Sequence, residues 1–375
     1  MKDLDGAIKE GLDRSLRTIE PPPLQVHEVL VRGRRLRRRR AIVAVACSLA
    51  VVVAVGTPLL LLAPLGDQGN ETGTEPDALT VAAEIQLEPG LTDVALGSGS
   101  VWVTGAAGVV EVDAATNRVR ARVPVAGTGD HSRIAIGEGA VWVTAPELRD
   151  DGSRGNLVRI DPATAEVEAT YEIGHTITGV ATGGGSVWLT IAGSGPGELL
   201  RIDPSTGRTL GRVRVVESPS LPIYAEGFVW VPGPDLVTKV DPATMTVVNE
   251  FAVPNLRDSG IGSLWGVGND AVLRVAPGSG EITATIPAPR AVAVSADAST
   301  VWVLVEARSS DPVLFEPIPG TAAVARIDPA SNEMIGKPLR LAGLQVIALS
   351  GDAGDVWVAD YDPGTLTKIR TEAVR

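Results

Sequence analysis

The chain of 375 residues has a single cysteine, Cys47, and only three histidines. One cysteine excludes an intramolecular disulfide framework, a cysteine-ligated zinc site and a CxxC redox pair. Three histidines leave few ligands for metal chemistry. Aromatic residues are scarce at 3%, yet seven of them are Trp against three Phe and three Tyr, an inversion of ordinary usage. Hydrophobic residues make up 44%, enough for a real core, so the chain as a whole is not disordered. The net charge of −12 is unevenly spread: residues 1–40 carry 11 Lys and Arg against 6 Asp and Glu, which leaves 22 basic and 39 acidic residues in the remainder. A nucleic-acid duplex repels such a surface, so nucleic acid is excluded as a partner for the bulk of the chain.

Charge is absent altogether from residues 41–63, AIVAVACSLAVVVAVGTPLLLLA. As a helix this run would span roughly 35 Å, against a hydrocarbon core of about 30 Å. Arg32, Arg34, Arg35 and Arg37 to Arg40 precede it, and the first charges after it are Asp67, Glu71, Glu75 and Asp77. The arginine side should stay cytoplasmic. The expectation is a signal-anchor in the cell membrane: a basic cytoplasmic tail over 1–40, one transmembrane helix over 41–65, a polar linker over 66–78 and an extracytoplasmic domain over 79–375. A cleaved signal peptide fits less well, because the preceding segment is long and no A-x-A site closes the run. Cys47 lacks the leucine of a lipoprotein signal and reads as a small buried hydrophobe. The arginines read as a topology determinant touching anionic lipid, with a nucleic-acid role as the minor alternative. Leu4, Ile8, Leu12 and Leu16 have helical spacing, which reads as a weakly structured tail or, alternatively, a docking helix for a cytoplasmic partner.

The tryptophans organise the rest of the chain. Trp102 lies in SVWVT, Trp142 in AVWVT, Trp188 in SVWLT, Trp230 in FVWVP, Trp265 in SLWGV, Trp302 in TVWVL and Trp357 in DVWVA, at spacings of 40, 46, 42, 35, 37 and 55. A period near 40 with one tryptophan per unit is the mark of a four-stranded propeller blade. In each unit an apolar stretch ends at glycine, the tryptophan strand comes next, a third strand ends in an Asp-Pro-Ala-Thr type turn, and an alternating fourth strand completes it. The turns fall at 161–164, 203–207, 241–244 and 328–332, with a worn version at 277–280. The last unit stops after its third strand, while residues 79–87, LTVAAEIQL, read as a fourth strand standing alone before the first unit. The predicted fold is therefore all-β: a seven-bladed β-propeller closed by an N-terminal strand and preceded by a single transmembrane helix. The tryptophans are expected to pack between blades rather than form an aromatic cage, and the repeated Asp to shape turns rather than bind calcium.

In such a blade the first-to-second and third-to-fourth turns share one face, and these are tight. The other face carries the insertions, at 145–156, 192–197 and 305–322, the last with Phe315 among prolines and acidic residues. Insertions confined to one face mark it as the binding face. The linker enters at the tight-turn face, so the variable face should point away from the bilayer.

The units, clearest over 136–173 with IGEGAVWVT and LVRIDPATAEVEATYEI, resemble YVTN-type propellers and the virginiamycin B lyase-like family. For the lyases the resemblance implies a catalytic His eleven residues before the repeat Trp, a Glu three residues after it that helps hold magnesium, and a second His in the preceding blade. His131 matches the first position. Ala145 stands at the second, with Glu147 two residues late; Leu91 stands eleven before Trp102, and His175 is two residues out of register. His131 is thus the candidate general base, and Asp93, Asp130, Arg133 and His175 fall on the same face as polar ligand contacts. Three functions are expected as alternatives. The first is a non-enzymatic sensor or binding scaffold for an unknown protein or polymer, with no cofactor. The second is a lyase-like or lactonase-like enzyme using His131, with magnesium only in that case. The third, a quinoprotein, lacks the adjacent cysteine pair.

Overall fold

Stretches rich in Val, Ile and Thr, bounded by glycine, form antiparallel strands because β-branched side chains pack well on a pleated surface. In the third unit Ile177–Gly183, Ser186–Ile191, Pro196–Ile202 and Thr209–Glu217 pair in sequence order as one four-stranded sheet. The second strand is buried throughout, and the fourth alternates towards solvent. The computed structural model describes residues 78–149, 152–192, 195–306, 321–342, 346–352 and 354–371. Among them are seven such sheets, a seven-bladed β-propeller. Blade 1 runs from Leu91–Gly97 to Val119–Val123, blade 2 from Ile134–Gly137 to Glu166–Glu172, and blade 4 from Ile223–Ala225 to Thr246–Phe251. Blade 5 runs from Leu256–Gly260 to Ile282–Pro287, and blade 6 from Ala291–Ala296 to Glu333–Arg340. In the seventh sheet Val346–Asp352, Asp355–Asp360 and Thr365–Thr371 are joined by Leu79–Gln86, with Leu79 opposite Thr371 and Gln86 opposite Thr365. First strands of successive blades touch one another all the way round, blade 7 against blade 1 included.

The expected tail, transmembrane helix and linker up to residue 77 lie outside the described residues, as does Phe315. Among the described residues no helix is long and apolar enough to cross a membrane. The expected insertion at 145–156 is a lengthened hairpin rather than a free loop. Ala140–Arg149 and Gly152–Asp161 stay paired from Val141 opposite Ile160 out to Arg149 opposite Gly152, so the extra backbone groups satisfy each other.

Every tryptophan is buried to within 1% of full enclosure. Each packs on the next blade: Trp102 with Val141 and Val143, Trp188 with Val229 and Val231, and Trp357 with Leu91, Val101 and Val103 of blade 1. Small residues face the indole from the first strand in most blades, as with Ala135 opposite Trp142 and Ser295 opposite Trp302, which leaves room for the ring. Burying an indole contributes about 4–6 kcal/mol of gross hydrophobic free energy. In blades 2 to 5 the indole N–H donates to the carbonyl five residues earlier, Trp188 to Gly183 at 2.9 Å for example.

A cation lies over the indole in six blades: Arg159 over Trp142, Arg201 over Trp188, Lys239 over Trp230, Arg274 over Trp265, Arg326 over Trp302 and Lys368 over Trp357, at 4.6 to 5.9 Å from the ring centroid. Each stands directly across from its tryptophan on the third strand. The turns after the third strands of blades 1 to 6 share one backbone geometry. The Asp203 carboxylate accepts the Ser205 and Thr206 N–H groups, and Gly207 donates back to the Asp203 carbonyl at 2.8 Å with φ at +69°. Glycine suits that left-handed position; Met245 occupies its counterpart in blade 4 at φ +54°, a conformation that costs a side chain free energy.

Candidate functional site

Loops from the second to the third strand, and from each fourth strand to the next blade, gather at one end of the ring. The 124–133 connection carries three of the sequence-derived candidates. Asp130 accepts a hydrogen bond from the Tyr361 hydroxyl at 2.9 Å, which ties this loop to blade 7. His131 is exposed and forms no hydrogen bond or ion pair among the described residues. Ser132 is fully buried, and its hydroxyl accepts the Gly129 N–H at 2.9 Å, turning the chain back. The Arg133 guanidinium donates to the carbonyls of Ser132 at 3.1 Å and Thr92 at 3.4 Å, and its backbone N–H to the Thr144 hydroxyl.

Asp93 sits next to Arg133 but faces inward. Its carboxylate accepts the N–H groups of Val94 at 2.9 Å and of Ile134 at 3.2 Å, bridging the first strands of blades 1 and 2. Burial pushes its pKa above the usual carboxylate range, against the opposing pull of Arg133 and both N–H groups. Asp258 does the same between blades 5 and 6, accepting Ser259 and Ala296 N–H at 2.7 and 3.0 Å, and burial raises its pKa too. The structure thus brings Asp93, Asp130, His131 and Arg133 into one region, with Asp93 and Arg133 engaged in holding blades together. His175 is exposed on the next inter-blade loop. The backbone of Glu147 lies opposite Arg154 in the long hairpin, while its side chain falls outside the described residues.

A second region of this face was not anticipated. Loops of blades 4, 5 and 6 enclose an open cleft of about 690 Å³ whose charged and polar wall includes Asp235, Asn255, Arg257, Asp270, Arg290 and Glu306. Its wall is knit together: Arg290 N–H donates to the Asp270 carboxylate at 2.9 Å, and Glu306 N–H to the Arg290 carbonyl at 3.0 Å. Arg290 adopts φ +63° there, a strained conformation for a side-chain-bearing residue. The signal was present as charged residues just past the tryptophan strands: Asp235 and Asp270 in short loops that carry no insertion, and Glu306 at the start of the 305–322 insertion.

Chemically, the face offers hydrogen-bonding and ion-pairing groups rather than an assembled catalytic set. The family resemblance implies a magnesium ion, and the donors do not fit one. Ala145, in place of the required carboxylate, is fully buried, and among the described residues no three His, Cys, Asp or Glu side chains converge at ligand spacing. An imidazole without an orienting partner, as at His131, also lacks the tautomeric control of a general base.

No family model matches the chain, and no curated protein matches it. Solved structures do. The propeller resembles BamB from Moraxella catarrhalis at 14% identity and a TM-score of 0.50, over 78% of this chain and 100% of that one. It resembles the Pan2 WD40 domain of Neurospora crassa at 11% identity and a TM-score of 0.60, over 79% and 96%. Hydrazine synthase of Kuenenia stuttgartiensis aligns at 14% identity and a TM-score of 0.59, over 82% and 100%. Identities this low establish a shared fold and nothing of function.

Proposed function

We propose that the chain is a membrane-anchored, extracytoplasmic binding or scaffold module of the YVTN-like propeller type, which takes a protein or polymer ligand on its loop face. The observation that carries this reading is the contrast of the open, charged cleft of blades 4 to 6 with the filled interior, where the tryptophans are committed to packing. Supporting the anchor are the uncharged run at 41–63 and the arginines before it. Closure of the ring by the N-terminal strand is supported by the pairing of Leu79–Gln86 with Thr365–Thr371 and by Leu79 sharing a core with Trp302, Val356 and Ile369. The arrangement around His131 gives no support to the lyase-like alternative. The test is site-specific photocrosslinking in intact cells of the full chain, with the photoreactive residue at Asn269 in the cleft or at Ser279 in the blade 5 turn on the opposite face. A discrete adduct from position 269 and none from 279 is expected; adducts from neither, or equally from both, would overturn the reading. Protease accessible only from outside the cell should release the 79–375 domain, and its protection would refute the topology.

A further inference from the structure

The layer of cations over the tryptophans has one break, at blade 1. Elsewhere the third-strand cation does more than cover the indole: it reaches forward to the residue just after the turn Asp, or its counterpart, in the next blade. Arg201 donates to the Pro242 carbonyl at 2.9 Å, Lys239 to Pro277 at 2.9 Å, Arg274 to Pro329 at 2.7 Å and Lys368 to Ala114 at 2.8 Å, while Arg326 reaches the Thr371 hydroxyl at 2.8 Å. Arg159 alone turns aside, to Glu168 at 3.0 Å, but still covers Trp142. Serines on the second strand steady two of these arginines, Ser186 for Arg201 and Ser263 for Arg274, each accepting from Nε at 2.8 Å.

In blade 1 the residue across from Trp102 is Glu111, and no cation covers the indole among the described residues. The serine is retained, but Ser100 now donates to the Glu111 carboxylate at 2.6 Å. The positive charge has moved to the fourth strand: Arg120 approaches from the outside, 3.1 Å from the Ser100 hydroxyl and 3.5 Å from Glu111, and also pairs with Asp113. Half exposed, it makes no bond to blade 2 among the described residues. A cleft of about 660 Å³ lies between Ser98, Glu111, Arg120 and Ala121 on one side and, on the other, the turn 162–165 of blade 2, the turn that a forward-reaching side chain would meet. Glu111 is 6% exposed, and with Asp113 it sets two carboxylates against one guanidinium. The Trp102 indole N–H, buried, has no partner among the described residues.

We infer that this cleft binds the guanidinium or ammonium group of an arginine or lysine side chain from a partner protein. The incoming cation takes the place of the missing one, pairs with Glu111 in competition with Arg120, and donates to the Pro162 carbonyl, the counterpart of Pro242 and Pro329. A partly desolvated carboxylate beside an aromatic ring and a turn carbonyl is the environment that the chain builds for one cation of its own, Lys368, which lies over Trp357, pairs with Asp355 and donates to the Ala114 carbonyl. The acidic balance of the chain beyond residue 40 steers basic partners towards it. This site lies at the opposite end of the ring from the loop-face cleft and stands independently of the function proposed for that face.

The full chain in detergent micelles, titrated with N-acetylarginine amide and followed through its indole N–H resonances, tests this. The Trp102 signal, assigned by its loss in Trp102→Phe, is expected to shift with the arginine probe and not with the uncharged N-acetylcitrulline amide. Glu111→Gln should weaken the response about tenfold or more, as loss of a charged hydrogen-bond partner does, and Glu111→Arg, which fills the cleft with the chain's own cation, should abolish it. The other six indole signals report whether each variant is folded. An unmoved Trp102 signal in the wild-type chain, an equal response to citrulline, or unchanged affinity in folded Glu111→Gln would overturn the site.

Discussion

At one end of the ring the turns after the third strands share much of one chemistry: an Asp caps its own turn in blades 1 to 4 and 6, and in blades 1, 4, 5 and 6 a cation from the preceding blade binds the turn carbonyl. At the other end the loops differ from blade to blade, and apart from the paired bridges of Asp93 and Asp258 their contacts occur once, such as the Tyr361 hydroxyl to Asp130 or the Arg290 N–H to the Asp270 carboxylate. A repeated residue must satisfy the same packing geometry at every repeat, so it is committed to stability. A residue that appears once is free of that demand, and the open volume of the loop face lies among such residues.

Breaking the repeated end should be costly. Trp188→Ala removes a fully enclosed indole between blades 3 and 4 and should lower stability by about 3–5 kcal/mol, read from denaturant unfolding of the full chain. Next comes Arg274→Met, which keeps the apolar stem over Trp265 but strands the Pro329 carbonyl and the Ser263 hydroxyl; a loss of about 1–3 kcal/mol is expected in the same assay.

The carboxylates separate by sign. Hydrogen bonds from the Ser205 hydroxyl and N–H hold the Asp203 pKa below the usual carboxylate range, so its folded value lies below its unfolded one. Its contribution is complete above about pH 4 and is lost as pH falls further through the folded value. For Asp258 burial raises the folded value, so the fold gains relative stability as pH falls from that raised value to about 4. Unfolding measured from pH 7 down to 3 should therefore show the wild-type advantage over Asp203→Asn shrinking with acid, and that over Asp258→Asn growing. Slopes of the same sign would contradict the assignment. The smallest effect belongs to the loop face: His131→Ala should change stability by less than about 0.5 kcal/mol, and a larger loss would mean that the histidine is part of the scaffold after all.

Much of the scaffold was legible because it repeats. Seven tryptophans at one position, and Asp-Pro-Ala-Thr turns between alternating strands, specify blades without reference to any distant contact. The cations escaped notice for a physical reason. In LVRID or VTKVD a lone Arg or Lys between apolar neighbours looks like the solvent side of a strand, whereas Lys239 is almost fully buried and lays its ammonium 4.6 Å from the Trp230 ring. The departure of blade 1, VVEVD, carries meaning only once that layer is known. The loop-face cleft was hidden differently, since Asp235 and Glu306 are far apart in sequence and meet only through the curvature of the ring. Expectations tied to insertions were less informative, because the one at 145–156 extends a regular hairpin.

The pairing of Leu79–Gln86 with Thr365–Thr371 bears on biosynthesis. The strand that leaves the ribosome first among the described ones must wait for the one that leaves last, and contacts so distant in sequence are slow to form. Until then an unpaired edge is open to any passing strand, in this chain or another. Of its exposed positions Glu84 and Gln86 are charged or polar, while Val81 and Ala82 are apolar and add to that hazard. Loss of Thr365–Thr371 in synthesis would leave it permanently without this neighbour.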